Sequence, residues 1–380
     1  MARRASSAAI DPEFDRRMMA AALRLGRRNL GQTHPNPAVG CILVQTRGAD
    51  RIVVGRGWTA VGGRPHAERE ALTVAGAAAQ GATAYVTLEP CAHQGRARPC
   101  SEALIEAGVA RVVSAMEDPD PRTAGHGHAK LKAAGISVTT GVLEAEAVRA
   151  HSGHIARVTK GRPHVTLKLA ISADGMIGRR EGERMIVTGK PAFDAVQIMR
   201  TEFDAVMIGI GTVLVDDPLL TVRLPGLARR SPVRVILDKD ARVPPTARLL
   251  QSVEEAKLIV FTGLEAPAER VAALLASGAE VVPVPLAGGG LDLTAVLTHL
   301  AKQGFTRLLA EGGAEVAASL VSADLLDEVI LFRAAVVVGP DGVRALGGVA
   351  LSAIERSPRY LQIEAGKVGD DIMRRYVRAA

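Results

Sequence analysis

Strand-length apolar runs alternate with amphipathic helical segments along most of this 380-residue chain. In the first part, strands are predicted at residues 39–44, 52–57, 84–88, 109–115 and 136–139, and helices near 11–28, 66–74, 101–107 and 129–134. In the second part, strands are predicted at 164–171, 205–210, 233–237, 258–261, 281–284, 307–310, 328–332 and 376–378, and helices at 191–201, 293–302 and 314–321. Such alternation is typical of α/β folds, in which helices pack on a sheet.

A polar, histidine-rich passage over residues 151–163 separates these two parts. A chain of this length commonly forms two domains. We place the boundary near residue 155, which gives a first domain at 1–155 and a second at 156–380. Because no internal repeat relates the two parts, we expect two different folds.

Composition and charge exclude several classes of protein. Hydrophobic residues make up 48% of the chain, which provides material for real cores and excludes a disordered chain. Aromatic residues make up only 3%, which argues against binding of single strands by base stacking. The net charge of +7 is concentrated at the start, where residues 1–28 hold seven arginines and three acidic residues. This surplus either attracts phosphate polymers or forms the solvated face of the first helix.

Cysteine usage and hydropathy bear on where the protein resides. Three cysteines are too few for a disulfide framework, which favours a reducing, cytoplasmic compartment. No stretch approaches the ~18 uncharged apolar residues of a membrane span. No apolar signal segment follows Arg3 and Arg4. We therefore expect a cytoplasmic protein without a membrane partner.

A histidine, a glutamate and two cysteines form a pattern that suits a catalytic zinc: His66, Glu68, Cys91 and Cys100. One imidazole and two thiolates leave a fourth tetrahedral position for water, whose pKa zinc lowers to ~7. Glu68 can face that water and move protons without binding the metal. Zinc base deaminases share the His-x-Glu and Pro-Cys parts, although their two cysteines are usually closer together. The alternatives are a core histidine, buried free thiols or a disulfide between the two cysteines. Cys41 is predicted to be a small core residue.

Longer motifs surround these residues: THPNPAVG at 33–40, HAE at 66–68, EPCAHQGR at 89–96 with Pro-Cys at 99–100, DPDP at 118–121, Gly125, Gly127 and AGI at 134–136. They resemble the bifunctional deaminase/reductase family of riboflavin biosynthesis, in which the longer cysteine spacing is usual. The resemblance implies a cytidine-deaminase-like α/β/α first domain. It also implies that zinc is held by His66, Cys91 and Cys100, that Glu68 is the proton donor, and that Asn36 lies against the substrate, whose pyrimidine edge its amide can pair with.

The second part lacks the Gly-x-Gly-x-x-Gly sequence of dinucleotide-binding Rossmann domains. It has glycine pairs at 209 and 211, after a strand, and at 312 and 313, before a helix. Backbone amides there could approach a phosphate, although ordinary tight turns would explain the glycines as well. Residues 168–175, 209–223 and 311–313 resemble, in order, the reductase half of the same family. That resemblance implies a dihydrofolate-reductase-like α/β domain that uses NADPH.

The resemblance also implies the residues that contact each ligand. The cofactor contacts would be Ala170, Ile186, Thr212, Asp216, Lys239, Gly313, Ala314, Glu315, Val316, Ala317, Ala318 and Ser319. The substrate contacts would be Arg184, Arg200, Leu220, Arg223 and Glu311. Arginines suit a ribose 5-phosphate because a planar guanidinium binds two phosphate oxygens at once. Lys168 is a candidate for polarising the sugar carbon that accepts hydride; the alternative is a charge at a strand edge.

Three positions depart from the common pattern of the family. Arg184 and Lys239 stand where serines are usual, and Ile186 stands where a tryptophan is usual. The two cations add positive charge that favours phosphates, whereas isoleucine cannot stack as an indole does. These substitutions therefore bear mainly on cofactor binding.

We expect a two-domain enzyme that acts twice on one riboflavin precursor. The first domain would hydrolyse the exocyclic 2-amine of 2,5-diamino-6-ribosylamino-4(3H)-pyrimidinone 5′-phosphate. The second would use NADPH to reduce the ribosyl chain, giving 5-amino-6-(5-phosphoribitylamino)uracil. The expected partners are small molecules and further copies of the chain, as a dimer or tetramer, and not nucleic acid.

Two other functions remain open at this point. A nucleic-acid deaminase would use the basic N-terminus and would bind RNA in a salt-sensitive manner. A non-catalytic zinc-stabilised binding protein would need a fourth protein ligand, for which Cys41 is the candidate.

Overall fold

The computed structural model describes residues 11–94, 98–179 and 185–379. The chain divides into two compact units, with the division between Gly161 and Arg162. The helix that ends just before it, Ser152–Lys160, is followed by Gly161 with a φ of 65°, a left-handed conformation that glycine adopts readily at helix ends. The predicted boundary at residue 155 falls inside this helix, which belongs to the first unit.

The first unit is built from the following described elements. Its helices are α1 (Pro12–Gly26), α2 (Ala67–Ala75), α3 (Cys100–Glu106), α4 (His126–Ala133), α5 (Glu144–Ala150) and α6 (Ser152–Lys160). Its strands are β1 (Gly40–Arg47), β2 (Asp50–Trp58), β3 (Thr83–Val86), β4 (Arg111–Ser114) and β5 (Ser137–Thr139). The helices and strands predicted for residues 11–139 are therefore confirmed, whereas α5 and α6 were not predicted.

The strands of the first unit form one mixed sheet in the order β2-β1-β3-β4-β5. β1 runs antiparallel to β2 and β3, and β3, β4 and β5 run parallel. The Asp11 side chain accepts a hydrogen bond from the Phe14 backbone N–H at 3.1 Å, as expected of an N-cap before a first-turn proline. Met19 on α1 and Leu43 on β1 are fully buried in the core that this helix covers.

The second unit is larger and is again given by its described elements. Its strands are β6 (His164–Ile171), β7 (Met176–Arg179), β8 (Ala205–Gly209), β9 (Val233–Leu237), β10 (Leu258–Gly263), β11 (Glu280–Val284), β12 (Leu286–Ala287), β13 (Gly290–Leu291), β14 (Arg307–Ala310), β15 (Glu328–Arg333), β16 (Gly342–Arg344), β17 (Tyr360–Val368) and β18 (Asp371–Arg378). Its helices are α7 (Lys190–Arg200), α8 (Ile210–Asp216), α9 (Arg248–Gln251), α10 (Ala268–Ala276), α11 (Leu293–Lys302), α12 (Ala314–Ser322) and α13 (Ser352–Glu355).

The main sheet of the second unit has the order β11-β10-β9-β8-β14-β6-β15-β18-β17. The strands from β11 to β15 are parallel, and β18 and β17 continue the sheet in antiparallel fashion. Alternate residues of β8 enter two different cores: Ala205 and Met207 pack with α11 and α12, whereas Val206 and Ile208 pack with α9 and α10. Helices therefore cover both faces of the parallel part, and the carboxyl ends of its strands share one edge, where α/β folds bind ligands.

Within the described residues, no helix combines the length and the apolar character that crossing a bilayer requires.

Candidate active sites

The start of α2 carries a histidine and a glutamate against the sheet of the first unit. His66 is the N-cap residue of α2, and Glu68 lies buried in its first turn. α2 can lie this close to β2 because Gly57 has no side chain: a Cβ there would come within 2.2 Å of the Ala67 carbonyl oxygen. Gly57 therefore allows the first turn of α2 to lie directly against the strand.

The two cysteines reach His66 from different elements. Cys91 lies in the loop after β3, and Cys100 is the first residue of α3. The Cys100 backbone N–H donates to Cys91 Sγ at 3.2 Å, and the Ser101 hydroxyl donates to the Cys91 carbonyl oxygen at 3.0 Å. His66 Nδ1 lies 3.7 Å from Cys91 Sγ and 3.4 Å from Cys100 Sγ. The fold thus brings together three donors that the sequence predicted as zinc ligands.

This donor set fits a zinc ion. In a tetrahedral site with ordinary zinc–sulfur and zinc–nitrogen bonds, sulfur and nitrogen lie about 3.6 Å apart, close to both distances found. Both thiols are free rather than joined in a disulfide. Within the described ranges, the donor group comprises His66, Cys91 and Cys100 without Cys41, which lies fully buried in β1 as predicted. Three protein ligands leave a fourth position open, as in catalytic zinc sites.

The fold shifts the pKa values of Glu68 and Cys91 in opposite directions. Burial raises the pKa of Glu68 to about 7, and the neighbouring Cys91 charge acts in the same direction. The hydrogen bond from Cys100, together with that from His66, lowers the pKa of Cys91 to about 4 against the effect of burial. A thiolate at Cys91 is the form that binds metal. A carboxyl group with a pKa near 7 can both accept and release a proton, as acid–base catalysis requires.

Asn36 is held in one orientation beside a tight turn. Its Nδ2 donates to the Gly63 carbonyl oxygen at 2.8 Å. Gly63 has a φ of 82°, and a Cβ there would come within 2.7 Å of Asn36 Nδ2. Because a carbonyl only accepts, the amide nitrogen must face Gly63, and Oδ1 must face the opposite side.

A cleft of about 1730 Å³ lies at the carboxyl edge of the parallel strands in the second unit. Its lining includes these predicted residues: Lys168, Ala170, Ile186, Arg200, Thr212, Asp216, Leu220, Lys239, Glu311, Gly313, Ala314, Glu315, Val316, Ala318 and Ser319. Ala317 is instead packed in the core, and Arg223 is exposed, with its guanidinium 5.5 Å from the centre of the Phe193 ring. Arg184 lies outside the described residues. The volume exceeds that of a usual single-ligand pocket, so a cofactor and a substrate fit together.

Two glycine turns at neighbouring strand ends form a cradle in this cleft. Gly209 precedes α8 after β8, and Gly313 precedes α12 after β14. A Cβ on Gly209 would come within 2.9 Å of Val316 Cγ2, and a Cβ on Gly313 would come within 3.2 Å of Thr212 Oγ1. The two turns therefore pack closely against each other at the start of α12, where N–H groups and the helix dipole favour phosphate. This geometry fits the pyrophosphate of NADPH.

A buried carboxylate joins two cations on the floor of the cleft. Glu311 accepts from Nε of Arg200 and, at 2.9 Å, from its Nη2, and Lys168 Nζ lies 3.5 Å from Glu311 Oε2. Arg200 also donates to the Thr221 carbonyl oxygen at 3.0 Å. Although burial raises the pKa of Glu311, Arg200 and Lys168 together lower it to about 2. Two nitrogens of the Arg200 guanidinium donate to the two carboxylate oxygens of Glu311. Glu311 therefore occupies the paired donors, or fork, that Arg200 was expected to offer to phosphate.

The sequence did not predict Gln197, which also lines the cleft. It lies on α7 three residues before Arg200, a spacing that places both side chains on one face of the helix. That spacing was the only signal available, since no motif marks the residue.

Each unit matches the profile of a known protein family. Residues 12–116 match the family profile described as the cytidine and deoxycytidylate deaminase zinc-binding region, and residues 163–373 match the RibD C-terminal domain. The riboflavin biosynthesis protein RibD of Escherichia coli (strain K12) is 39% identical over 373 residues, covering 94% of this chain and 98% of that protein.

Solved structures agree along nearly the whole chain. RibD of Acinetobacter baumannii has a TM-score of 0.84 at 35% identity, covering 97% of this chain and 100% of that one. A diaminohydroxyphosphoribosylaminopyrimidine deaminase/5-amino-6-(5-phosphoribosylamino)uracil reductase of Thermotoga maritima has a TM-score of 0.82 at 32% identity, covering 97% and 99%. The predicted pairing of a deaminase-like and a reductase-like α/β domain is thereby confirmed, and the chain belongs to the RibD family of riboflavin biosynthesis proteins.

Proposed function

We propose that this chain catalyses two consecutive steps on one riboflavin precursor. The first unit hydrolyses the 2-amine of 2,5-diamino-6-ribosylamino-4(3H)-pyrimidinone 5′-phosphate. The second unit then reduces the ribosyl chain to give 5-amino-6-(5-phosphoribitylamino)uracil. The deaminase depends on zinc and the reductase uses NADPH, as the two domains of the RibD family do.

In the deaminase, His66, Cys91 and Cys100 would hold the zinc. When bound, the ion supplies a water of lowered pKa next to the substrate. Glu68 takes a proton from that water and delivers it to the departing amine, which leaves as ammonia while the water oxygen becomes the carbonyl oxygen of the product. The pKa of about 7 for Glu68 supports this role, because a group near neutrality serves in both directions. Asn36 orients the pyrimidine edge through its amide.

In the reductase, the Gly209 turn and the start of α12 at Gly313 would hold the cofactor. When bound, NADPH supplies the hydride, and C1′ of the sugar is the carbon reduced. Lys168 directs its ammonium group into the cleft and is placed to protonate the ring oxygen as its bond to C1′ breaks. Glu311 keeps Lys168 in this position through the 3.5 Å contact. Arg223 and Leu220 would hold the phosphorylated sugar at the rim.

The observation that carries the assignment is the three-donor group beside buried Glu68 in the first unit, on the same chain as the glycine-lined cleft of the second. The purified protein is supplied with the diamino substrate, with and without NADPH, and the products are analysed by mass spectrometry. We expect the deaminated compound without NADPH and the ribityl compound with it. Unchanged substrate in both reactions would contradict the proposal.

We also propose that the enzyme is cytoplasmic and forms a homo-oligomer, either a dimer or a tetramer. The free thiols at Cys91 and Cys100 support a reducing compartment, because metal binding requires them to stay reduced. The edge strand β17 supports self-association, since its apolar side chains Leu361 and Ile363 are 56% and 47% exposed. Light scattering on the purified protein measures the assembly, and a monomeric mass would contradict this part.

A further inference from the structure

Gln197 is a buried amide at the reductase cleft with no role in the chemistry described so far. It lies on α7, is 1% exposed and lines the cleft. Phe193 precedes it by four residues and Arg200 follows it by three, and both also line the cleft. Because residues three and four apart share one face of a helix, α7 turns this face toward the ligand space.

The hydrogen bond between Gln197 and Arg223 determines which way the amide points. The Arg223 backbone N–H donates to Gln197 Oε1 at 2.8 Å. A backbone N–H can only donate, so the atom that faces it must be the amide oxygen. The amide nitrogen must then point away from Arg223. Nε2 is buried and has no hydrogen-bond partner within the part of the chain that the structure describes. A buried donor without an acceptor is unfavourable, so an acceptor from outside the protein would complete it.

The surroundings of Nε2 indicate what kind of acceptor this is. The Arg223 guanidinium stands over the Phe193 ring, at 5.5 Å from its centre, and supplies positive charge about one helical turn from Gln197 on α7. Arg200, one turn away, has its fork occupied by Glu311. The Arg200 guanidinium is therefore engaged by Glu311, and the neutral amide of Gln197 remains as a hydrogen-bond donor for the ligand. The hydroxyl and phosphate oxygens of a sugar phosphate accept hydrogen bonds. The negative charge of its phosphate also suits a site near Arg223.

We propose that Gln197 is a substrate-binding residue of the reductase, whose Nε2 donates to an oxygen of the phosphorylated sugar while its Oε1 holds the Arg223 backbone. The inference rests on the proposed function of the second unit. It assigns Gln197 two tasks, one in shaping the rim of the cleft and one in direct recognition of the substrate.

Two variants, both of which remove the Nε2 donor, test the recognition task. Gln197→Glu keeps an acceptor for the Arg223 N–H but replaces the donor with a negatively charged acceptor. Gln197→Met removes both contacts at similar size. For each variant, we expect KM for the deaminated substrate to rise by roughly tenfold or more, with kcat and KM for NADPH within about twofold of the original, as the loss of one ligand hydrogen bond predicts. Gln251→Glu, at an exposed position of α9 outside the cleft, is the matched control.

Ribose 5-phosphate identifies the part of the substrate that is bound. We expect both Gln197 variants to weaken its binding, measured by calorimetry, by the same factor as the KM. Unchanged binding in both variants, or a raised substrate KM with unchanged ribose 5-phosphate binding, would overturn the proposal. A parallel loss of kcat, NADPH affinity and thermal stability would also overturn it, because a purely structural role predicts that result. If the unmodified enzyme fails to reduce the substrate, the proposed function fails, and ribose 5-phosphate binding still decides the role of Gln197.

Discussion

Arg200 and Glu311, which are 111 residues apart in the sequence, form a paired ion contact on the buried floor of the reductase cleft. Their side chains are 9% and 6% exposed. Lys168 adds a second cation to the same carboxylate. The negative charge of Glu311 thus holds both Arg200, a predicted substrate contact, and Lys168, the proposed proton donor.

Glu311→Gln should destabilise the second unit and abolish reduction. The substitution leaves Arg200 buried without its counter-charge, which typically costs ~3–5 kcal/mol. Because the folded pKa of Glu311 is about 2, below its unfolded value, this stabilisation is present above about pH 4.3 and is lost as the pH falls toward 2. Calorimetry at pH 7 measures the loss. Exposed Glu269→Gln on α10 is the control, and equal melting of both variants would contradict the prediction.

Glu68→Gln should remove deamination while zinc stays bound. Glu68 contributes no atom to the donor group, so metal content should remain that of the unmodified protein. Loss of a positioned acid–base group usually lowers the rate by about 10²–10⁴-fold. Glu70→Gln, in the same first turn of α2, is the matched control. Ammonia release and zinc analysis are measured together; normal deamination by the zinc-loaded Glu68 variant would refute the proton role.

Cys100→Ser should lose both zinc and deaminase activity. Serine is a much poorer zinc ligand than thiolate, and two remaining donors hold the ion weakly. Cys41 is the third cysteine of the chain and lies outside the donor group, so the Cys41→Ala variant should keep its zinc and serves as the control. NADPH oxidation with the deaminated substrate should persist in both variants. Metal analysis of the purified proteins decides, and zinc retained by Cys100→Ser at full stoichiometry would contradict the ligand assignment.

The sequence predicted much of the fold because many elements carry their own local signal. The bounds predicted for the strand at 233–237, the helix at 293–302 and the strand at 307–310 are those found in β9, α11 and β14. Each is an apolar run or stripe between turn residues. α5 and α6 were missed because their buried positions are small or polar, as at Ala147, Gly153 and His154.

The two candidate sites differ in how far the sequence could predict them. The zinc donors could be proposed from residue type and spacing, because His66, Cys91 and Cys100 belong to short motifs. The Arg200–Glu311 pair could not, since spacing in the chain carries no information about contacts across a sheet. For the same reason, the expectation that Arg200 offers its fork to phosphate did not anticipate that Glu311 fills it.

His151 should make the stability of the first unit depend on pH. Its Nε2 lies 3.1 Å from the Thr87 carbonyl oxygen, and burial, with the nearby His154, lowers its pKa to about 4. Between pH 4 and about 6.5 the unfolded chain binds a proton that the folded chain does not, so stability falls as the pH falls through this range. The two pKa values correspond to a loss of up to about 3 kcal/mol.

Fluorescence of Trp58, the single tryptophan of the chain, reports unfolding of the first unit alone. Urea titrations at pH 7 and pH 5 should show a clear drop in stability for the unmodified protein. The drop should be smaller for His151→Gln, which keeps a donor toward Thr87 but carries no titrating ring. His126→Gln, at an exposed position of α4, should retain the full drop. If His151→Gln shows the same pH dependence as His126→Gln, the protons must be bound elsewhere.

Ile186→Trp should strengthen NADPH binding. Ile186 lines the cleft but is 80% exposed, at the position where the family usually has tryptophan. An indole there could stack on a flat ring of the cofactor, and an aromatic pair is worth ~1 kcal/mol, or about a fivefold lower KM for NADPH. Val337→Trp, also exposed but outside the cleft lining, controls for added hydrophobic surface. Steady-state kinetics with varied NADPH measures the change. An unchanged KM would mean that this position does not face a ring of the cofactor, and the cofactor contact assigned to Ile186 would then be wrong.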